Sequence, residues 1–259
     1  MNNFAFCTIT YGEKYKNLGD TIINQMTGMG YHFYVLTDSP SHYNGRKNVH
    51  VIPHTYPYFS YHQKRFVTQA CLNDFSTAIF LDADVVYKEG ADLSILNNAE
   101  HGLHIFATFG GIGHTFLNED INPCNPEIPD NRNTKYGPKG RQLLDDMGLR
   151  YMKDFHGLGH MNYLEHFLEG KWIVKKQDGK EKKFFEYWNK IAEFTDAFDI
   201  NLGFKNTIGA GEGAAMSIAA FNSGINTRVA GGFTRLINTH FISNYQEKVD
   251  GTKPWNISG

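Results

Sequence analysis

Cysteine is scarce and unpatterned in this chain. Cys7, Cys71 and Cys124 are the only three in 259 residues, an odd number at wide spacings that makes neither a disulfide framework nor a metal-finger arrangement. Reduced thiols in a cytoplasmic setting are the expectation. Positive charge is not in excess either. The 25 Lys and Arg are outnumbered by 27 Asp and Glu, which argues against nucleic acid as a partner. No stretch approaches the ~20 apolar residues of a transmembrane segment. No leader-like segment precedes the first apolar run at Phe4, so no secretory signal is expected. There is no internal repeat and no long low-complexity tract. Aromatic residues, at 14%, are plentiful enough to help build a sizeable core.

Phe4–Thr10 predicts a first strand, ending at Tyr11-Gly12. Lys14 to Met26 predicts an amphipathic helix with Leu18, Ile22, Ile23 and Met26 on one face. A second strand over His32–Thr37 closes at Asp38-Ser39-Pro40, and a third covers Val49–Ile52. Gln63 to Leu72 reads as a helix and Thr77–Leu81 as a buried strand. This β-α-β-β-α-β rhythm is that of an α/β, nucleotide-binding half. Further on, Leu93–Asn98 predicts a short helix, His104–Thr108 a strand, Trp172–Val174 a strand and Lys182–Phe194 a helix. The aromatic stripe Phe184, Phe185, Trp188 and Ile191 belongs to the core by its helical spacing. Arg235–His240 predicts a closing strand. Between Gly110 and Gly140 the chain is rich in Gly, Pro and Asn, a surface excursion near the site rather than a linker. The expected organisation is therefore one catalytic domain over 1–259, with a nucleotide-binding half at 1–109 and an acceptor-binding half at 110–259.

Asp82 and Asp84 flank the small Ala83 at the end of the Thr77–Leu81 strand. In extended backbone such positions project to the same side. Two carboxylates so placed repel each other and call for a cation or a shared proton, unless they merely open a solvated turn. A hard divalent ion shared with a diphosphate would satisfy them. Tyr11 and Asp38 end strands expected beside this one. Tyr11 offers a ring for a base, with Thr8 or Thr10 to hydrogen-bond it, or is simply a buried tyrosine. Lys64 and Arg65 open the preceding helix, as solvated charges or as partners of a phosphate or sugar.

His156 and His160 flank a Gly-rich turn, which fits a metal, a polyhydroxylated ligand or plain surface. Glu212 stands among Gly209, Gly211 and Gly213 at the start of a helix of small residues. There it either complements the helix dipole or sits on the floor of a cleft as base, nucleophile or stabiliser of positive charge. His240 ends the expected last strand, and imidazole suits a manganese-like ion as third ligand. Lys253, before Pro254-Trp255, is placed to set a point charge on a leaving diphosphate.

Phe80-Leu81-Asp82-Ala83-Asp84 resembles the Asp-x-Asp motif of GT-A glycosyltransferases that use nucleotide sugars. His32 to Pro40 is similar to the second-strand segment of the retaining blood-group A/B and α-1,3-galactosyltransferase type, whose acid before a late helix Glu212 matches. Gly251-Thr252-Lys253-Pro254-Trp255 is similar to the tail of the glycogenin and LgtC type, with His240 eleven positions ahead of Gly251, a wider gap than that type shows. The resemblance implies a GT-A fold, a UDP-sugar donor and a carbohydrate or glycoconjugate acceptor. It also implies Mn2+ or Mg2+ on Asp82, Asp84 and His240, with Glu212 and Lys253 as catalytic groups. Two competing readings are a haloacid-dehalogenase-type phosphatase using Asp82 and a binding module without turnover.

Overall fold

The computed structural model describes residues 2–112, 136–152, 164–201, 203, 208 and 211–243. His156, His160 and Lys253 lie outside them, as does most of the Gly110–Gly140 excursion. The chain opens with β1 (Phe4–Thr10), α1 (Gly12–Gly28), β2 (Phe33–Thr37), the short α2 (Pro40–Tyr43) and β3 (Val49–Pro53). Then come α3 (Lys64–Asp74), β4 (Thr77–Leu81), β5 (Val85–Tyr87), β6 (Gly102–Ile105) and β7 (Thr108–Gly111). The second half supplies α4 (Gly137–Asp146), β8 (Glu165–Phe167), β9 (Lys171–Lys175), α5 (Lys180–Asn201) and α6 (Glu212–Ser223). β10 (Thr227–Val229), α7 (Gly232–His240) and β11 (Phe241–Ser243) complete it.

Seven strands form a central sheet in the order β10-β6-β9-β4-β1-β2-β3. β1 runs parallel to β2 and β4, β2 to β3, and β10 to β6, whereas β9 is antiparallel to both β4 and β6. The protein is thus α/β with a mixed sheet, compatible with a Rossmann-like arrangement. Both faces are covered, which is why β1, β2 and β4 read as unbroken buried runs. Ala5, Cys7, Ile9, Ala78 and Phe80 share one core with Val67 of α3, Trp188 of α5 and the small residues of α6. Phe4, Phe6, Ile79 and Leu81 share the other with Ile22, Ile23 and Met26 of α1 and Ile237 of α7. Among the described residues no helix is long and apolar enough to cross a membrane.

Two expected elements differ. Arg235–His240 is the end of a helix, not a strand. Phe233, Leu236 and Ile237 recur at helical spacing and pack toward the α1 core, a periodicity that an alternating strand does not use. The expected strand over His104–Thr108 is split, since β6 stops at Ile105 and β7 begins at Thr108.

Candidate active site

β1 and β4 are neighbours, and a cavity of about 240 Å³ opens at their carboxyl ends. Its lining joins rings from Tyr11, Tyr15, Phe59, Tyr61 and Phe80 to the charged groups of Lys64, Asp82 and Asp84, with Ala83 between the acids. This is where ligands settle in parallel α/β sheets. Tyr11 is held as a half-buried platform, stacked on Phe59 at 5.1 Å between centroids and tilted against His54 at 4.9 Å.

Strand parity decides which β1 residues reach this cavity. Ile9 and Tyr11 line it, so Thr8 and Thr10 alternate to the opposite face. Both are fully buried, and Thr10 packs so close to α1 that a Cβ on Gly19 would lie 2.6 Å from its methyl. The expected contact of Thr8 or Thr10 with a ligand is therefore not made from this face. Asp38 is also kept back. Its Oδ2 accepts a hydrogen bond from the Gly12 amide at 3.1 Å, which ties the end of β2 to the start of α1, with β1 standing between β2 and β4.

Asp82 and Asp84 come together by a different backbone from the extended one expected. The Val85 amide donates to the Asp82 carbonyl at 3.1 Å, closing a turn over the three residues. The turn is pinned by the residue just before β9, because the Asp82 amide donates to the Gly170 carbonyl at 2.9 Å. Ser243 Oγ donates to Asp84 Oδ2 at 3.1 Å. Asp82 Oδ1 lies 3.1 Å from Lys64 Nζ. Burial raises the Asp82 pKa and the neighbouring Asp84 adds to this, while Lys64 opposes both.

Lys64 is the hub. It opens α3, its side chain is only 7% exposed, and its Nζ also lies 3.0 Å from Glu212 Oε1. The ammonium stands over the faces of Phe80 at 5.4 Å, Tyr61 at 5.6 Å and Trp172 at 5.8 Å, a favourable setting for a cation. Burial pulls its pKa down, but Asp82, Glu212 and Glu169 together hold it above the ordinary lysine value. Arg65, its neighbour, turns away to bond Asn189 and the His62 carbonyl.

Glu212 begins α6 and is buried. Burial pushes its pKa up to about 8, with Glu169 adding to the rise and Lys64 opposing it. Glu169 was not foreseen. Its Oε1 accepts from His166 Nε2 at 2.9 Å and from the Gly213 amide at 3.1 Å. Burial acts to raise its pKa, but His166, Lys64 and the Gly213 amide prevail and hold it below the usual carboxylate value. This packing needs Gly213: a Cβ there would lie 2.0 Å from the Phe167 carbonyl oxygen and 2.6 Å from the His166 ring. Lys171, on β9, donates from Nζ to the Phe241 carbonyl at 2.5 Å. Burial lowers its pKa while Asp82 and Asp84 oppose.

A scan of protein-family models and a search of curated proteins each return no match for this sequence.

His240 does not join the acids. β11 pairs antiparallel with β5, so Ser243 rather than His240 comes level with the Asp84 end. His240 instead faces Lys88, whose carbonyl lies 3.3 Å from its Nδ1. Lys88 is four steps of extended chain beyond Asp84, a span of about 13 Å. Among the described residues there is no group of three or more metal-ligating side chains. Two carboxylates still fit a hard divalent ion that takes its other oxygens from substrate and water. Among the described residues none donates a hydrogen bond to Asp82 Oδ2 or Asp84 Oδ1, and these are the oxygens such an ion would take.

Proposed function

We propose that the protein is a glycosyltransferase of GT-A type that moves a sugar from a nucleoside diphosphate sugar, UDP-linked by preference, to a carbohydrate or glycoconjugate acceptor, with retention. The observation that carries this reading is the convergence, at one aromatic-rimmed cavity, of Asp82, Asp84 and a buried Lys64 that reaches Glu212. Aromatic rings suit a nucleobase, and the paired acids suit a metal-bound diphosphate. A buried carboxyl group next to them suits a sugar that becomes positively charged as it departs.

Tyr11 supplies the stacking surface for the base. Asp82 and Asp84 would hold Mn2+ or Mg2+, which when bound neutralises charge growing on the leaving diphosphate. Lys64 holds Asp82 and Glu212 in fixed relation and adds a positive charge on the same side. Glu212, when ionised, stabilises the oxocarbenium-like centre, as nucleophile or as electrostatic partner. Lys253 is assigned to the leaving diphosphate, and His156 and His160 to the acceptor. A cytoplasmic location belongs to the same reading.

The test is a thermal-shift panel of UDP-, GDP- and CDP-sugars with and without Mn2+, followed by calorimetry and transfer assays on Asp84→Ala. Metal-dependent nucleotide-sugar binding that disappears in the variant, together with its transfer activity, is the expected result. Normal turnover by Asp84→Ala would end the proposal, and a phosphoenzyme trapped at Asp82 would replace it with a phosphatase.

A further inference from the structure

We propose that Glu169 recognises the transferred sugar itself, accepting a hydrogen bond from one of its free hydroxyl groups. This assignment rests on the glycosyl-transfer reading and adds to it the residue that selects the sugar.

Glu169 is an oriented carboxylate with, among the described residues, one oxygen to spare. His166 and the Gly213 amide both bond Oε1, and among the described residues Oε2 accepts no hydrogen bond. The hydrogen bond from Lys64 Nζ goes to the Glu169 backbone carbonyl, at 3.5 Å, while the ammonium acts on the carboxylate through space. The orienting His166 side chain is 2% exposed, whereas 21% of the Glu169 side chain remains open. The partner is fixed and sealed, and the head group it aims is accessible.

Position limits what this oxygen meets. Glu169 precedes Gly170, whose carbonyl anchors the Asp82 amide and whose absent Cβ would lie 3.1 Å from Asp82 Oδ2. It thus adjoins the residue that packs on the acid assigned to the diphosphate, and it comes from the β8–β9 turn rather than from the strands that carry the aromatic rim. A carboxylate only accepts hydrogen bonds. Phosphate oxygens are acceptors too and repel it, so the diphosphate is excluded as its partner. Sugar hydroxyls donate, and a hydroxyl on an ionised acid makes one of the stronger hydrogen bonds available. A site built around such a bond rejects an analogue that lacks the hydroxyl, because the buried acceptor is then left unmatched.

The experiment compares wild type, Glu169→Gln, His166→Ala and His166→Asn in calorimetry and donor-hydrolysis assays with Mn2+. The probes are UDP, UDP-glucose, UDP-galactose and the monodeoxy analogues of both. Glu169→Gln is expected to bind UDP within twofold of wild type and to bind the preferred UDP-hexose roughly tenfold or more weakly. Its discrimination against one of the deoxy analogues should vanish. His166→Asn, which keeps a side-chain N–H donor, should retain more of that discrimination than His166→Ala. A Glu169→Gln protein that keeps both affinity and discrimination for the hexose overturns the assignment. So does one that loses UDP and UDP-hexose equally, since the residue would then serve the diphosphate or the fold. A wild-type protein that binds no nucleotide at all sinks the glycosyl-transfer reading instead, a different result from either.

Discussion

Replacing Lys64 by Met keeps an unbranched stem among Tyr61, Phe80 and Trp172 but deletes the charge that Asp82 and Glu212 share. Lys64 is 7% and Glu212 8% exposed, so water cannot take over the lost contact at Glu212, while Asp82, at 38%, is partly solvated. Breaking a buried pair costs about 3–5 kcal/mol. Below pH 8 Glu212 holds its proton and Asp82 is partly solvated, so the loss is a half-open ion pair and one hydrogen bond to a neutral acid and falls below that range, about 2 kcal/mol. For a chain of this size that corresponds to a drop in Tm of roughly 4–8 °C. The pH dependence is more diagnostic than the drop. Glu212 has a native pKa of about 8, above the unfolded value of about 4.3. Between these two values the native state holds a proton that the unfolded chain has released, so stability falls as pH rises, and the fall stops above pH 8. Without Lys64, which opposes that shift, the native pKa climbs further. The decline then continues beyond pH 8, at up to about 1.4 kcal/mol per pH unit. Melting curves should therefore show a gap between wild type and Lys64→Met that is wider at pH 9 than at pH 6. The double variant Lys64→Met/Glu212→Gln, with no titrating carboxyl at 212, should lose the extra decline. A gap that stays constant with pH, or that widens equally in the double variant, would refute the coupling of these groups.

Donor hydrolysis that needs ionised Glu212 should rise with pH from 6 and level off above about 8. Initial rates across that range check it, with Glu212→Gln flat and at least about a hundredfold slower. Gly213→Ala should destabilise the protein by about 2–3 kcal/mol, read as a lower urea midpoint, because the new methyl meets the Phe167 carbonyl at 2.0 Å and backbone cannot yield as a side chain does.

Much of this architecture is written in local pattern. β1 and β4 begin and end where their apolar runs do, and the acids after β4 share a cavity with Tyr11 and Lys64 as their places at strand and helix ends suggest. The errors have physical sources. A strand buried on both faces carries no alternation, so nothing in Phe4–Thr10 tells which parity faces a ligand, and Thr8 and Thr10 fall on the far side. Phe233, Leu236 and Ile237 do carry a helical spacing, but the β-branched residues around them mask it, and His240 is misplaced as a result. Glu169 and His166 leave only a faint trace, an acid and a histidine three apart before Gly170. Their importance depends on Gly213, 44 residues later in the chain, and no short-range pattern contains that contact.

β9 runs against its two neighbours in the middle of the sheet. Because it is reversed, its starting end meets the finishing ends of β4 and β6, and the short turn feeding it arrives at the same rim as the strand-end acids. Two lineages of sequence, one from each half of the chain, therefore abut there without being covalently near. Exchanging the Glu169 side chain would alter that rim from the second half of the chain alone, whereas Gly170 is bound to the Asp82 amide and cannot shift without moving the turn that carries the acids.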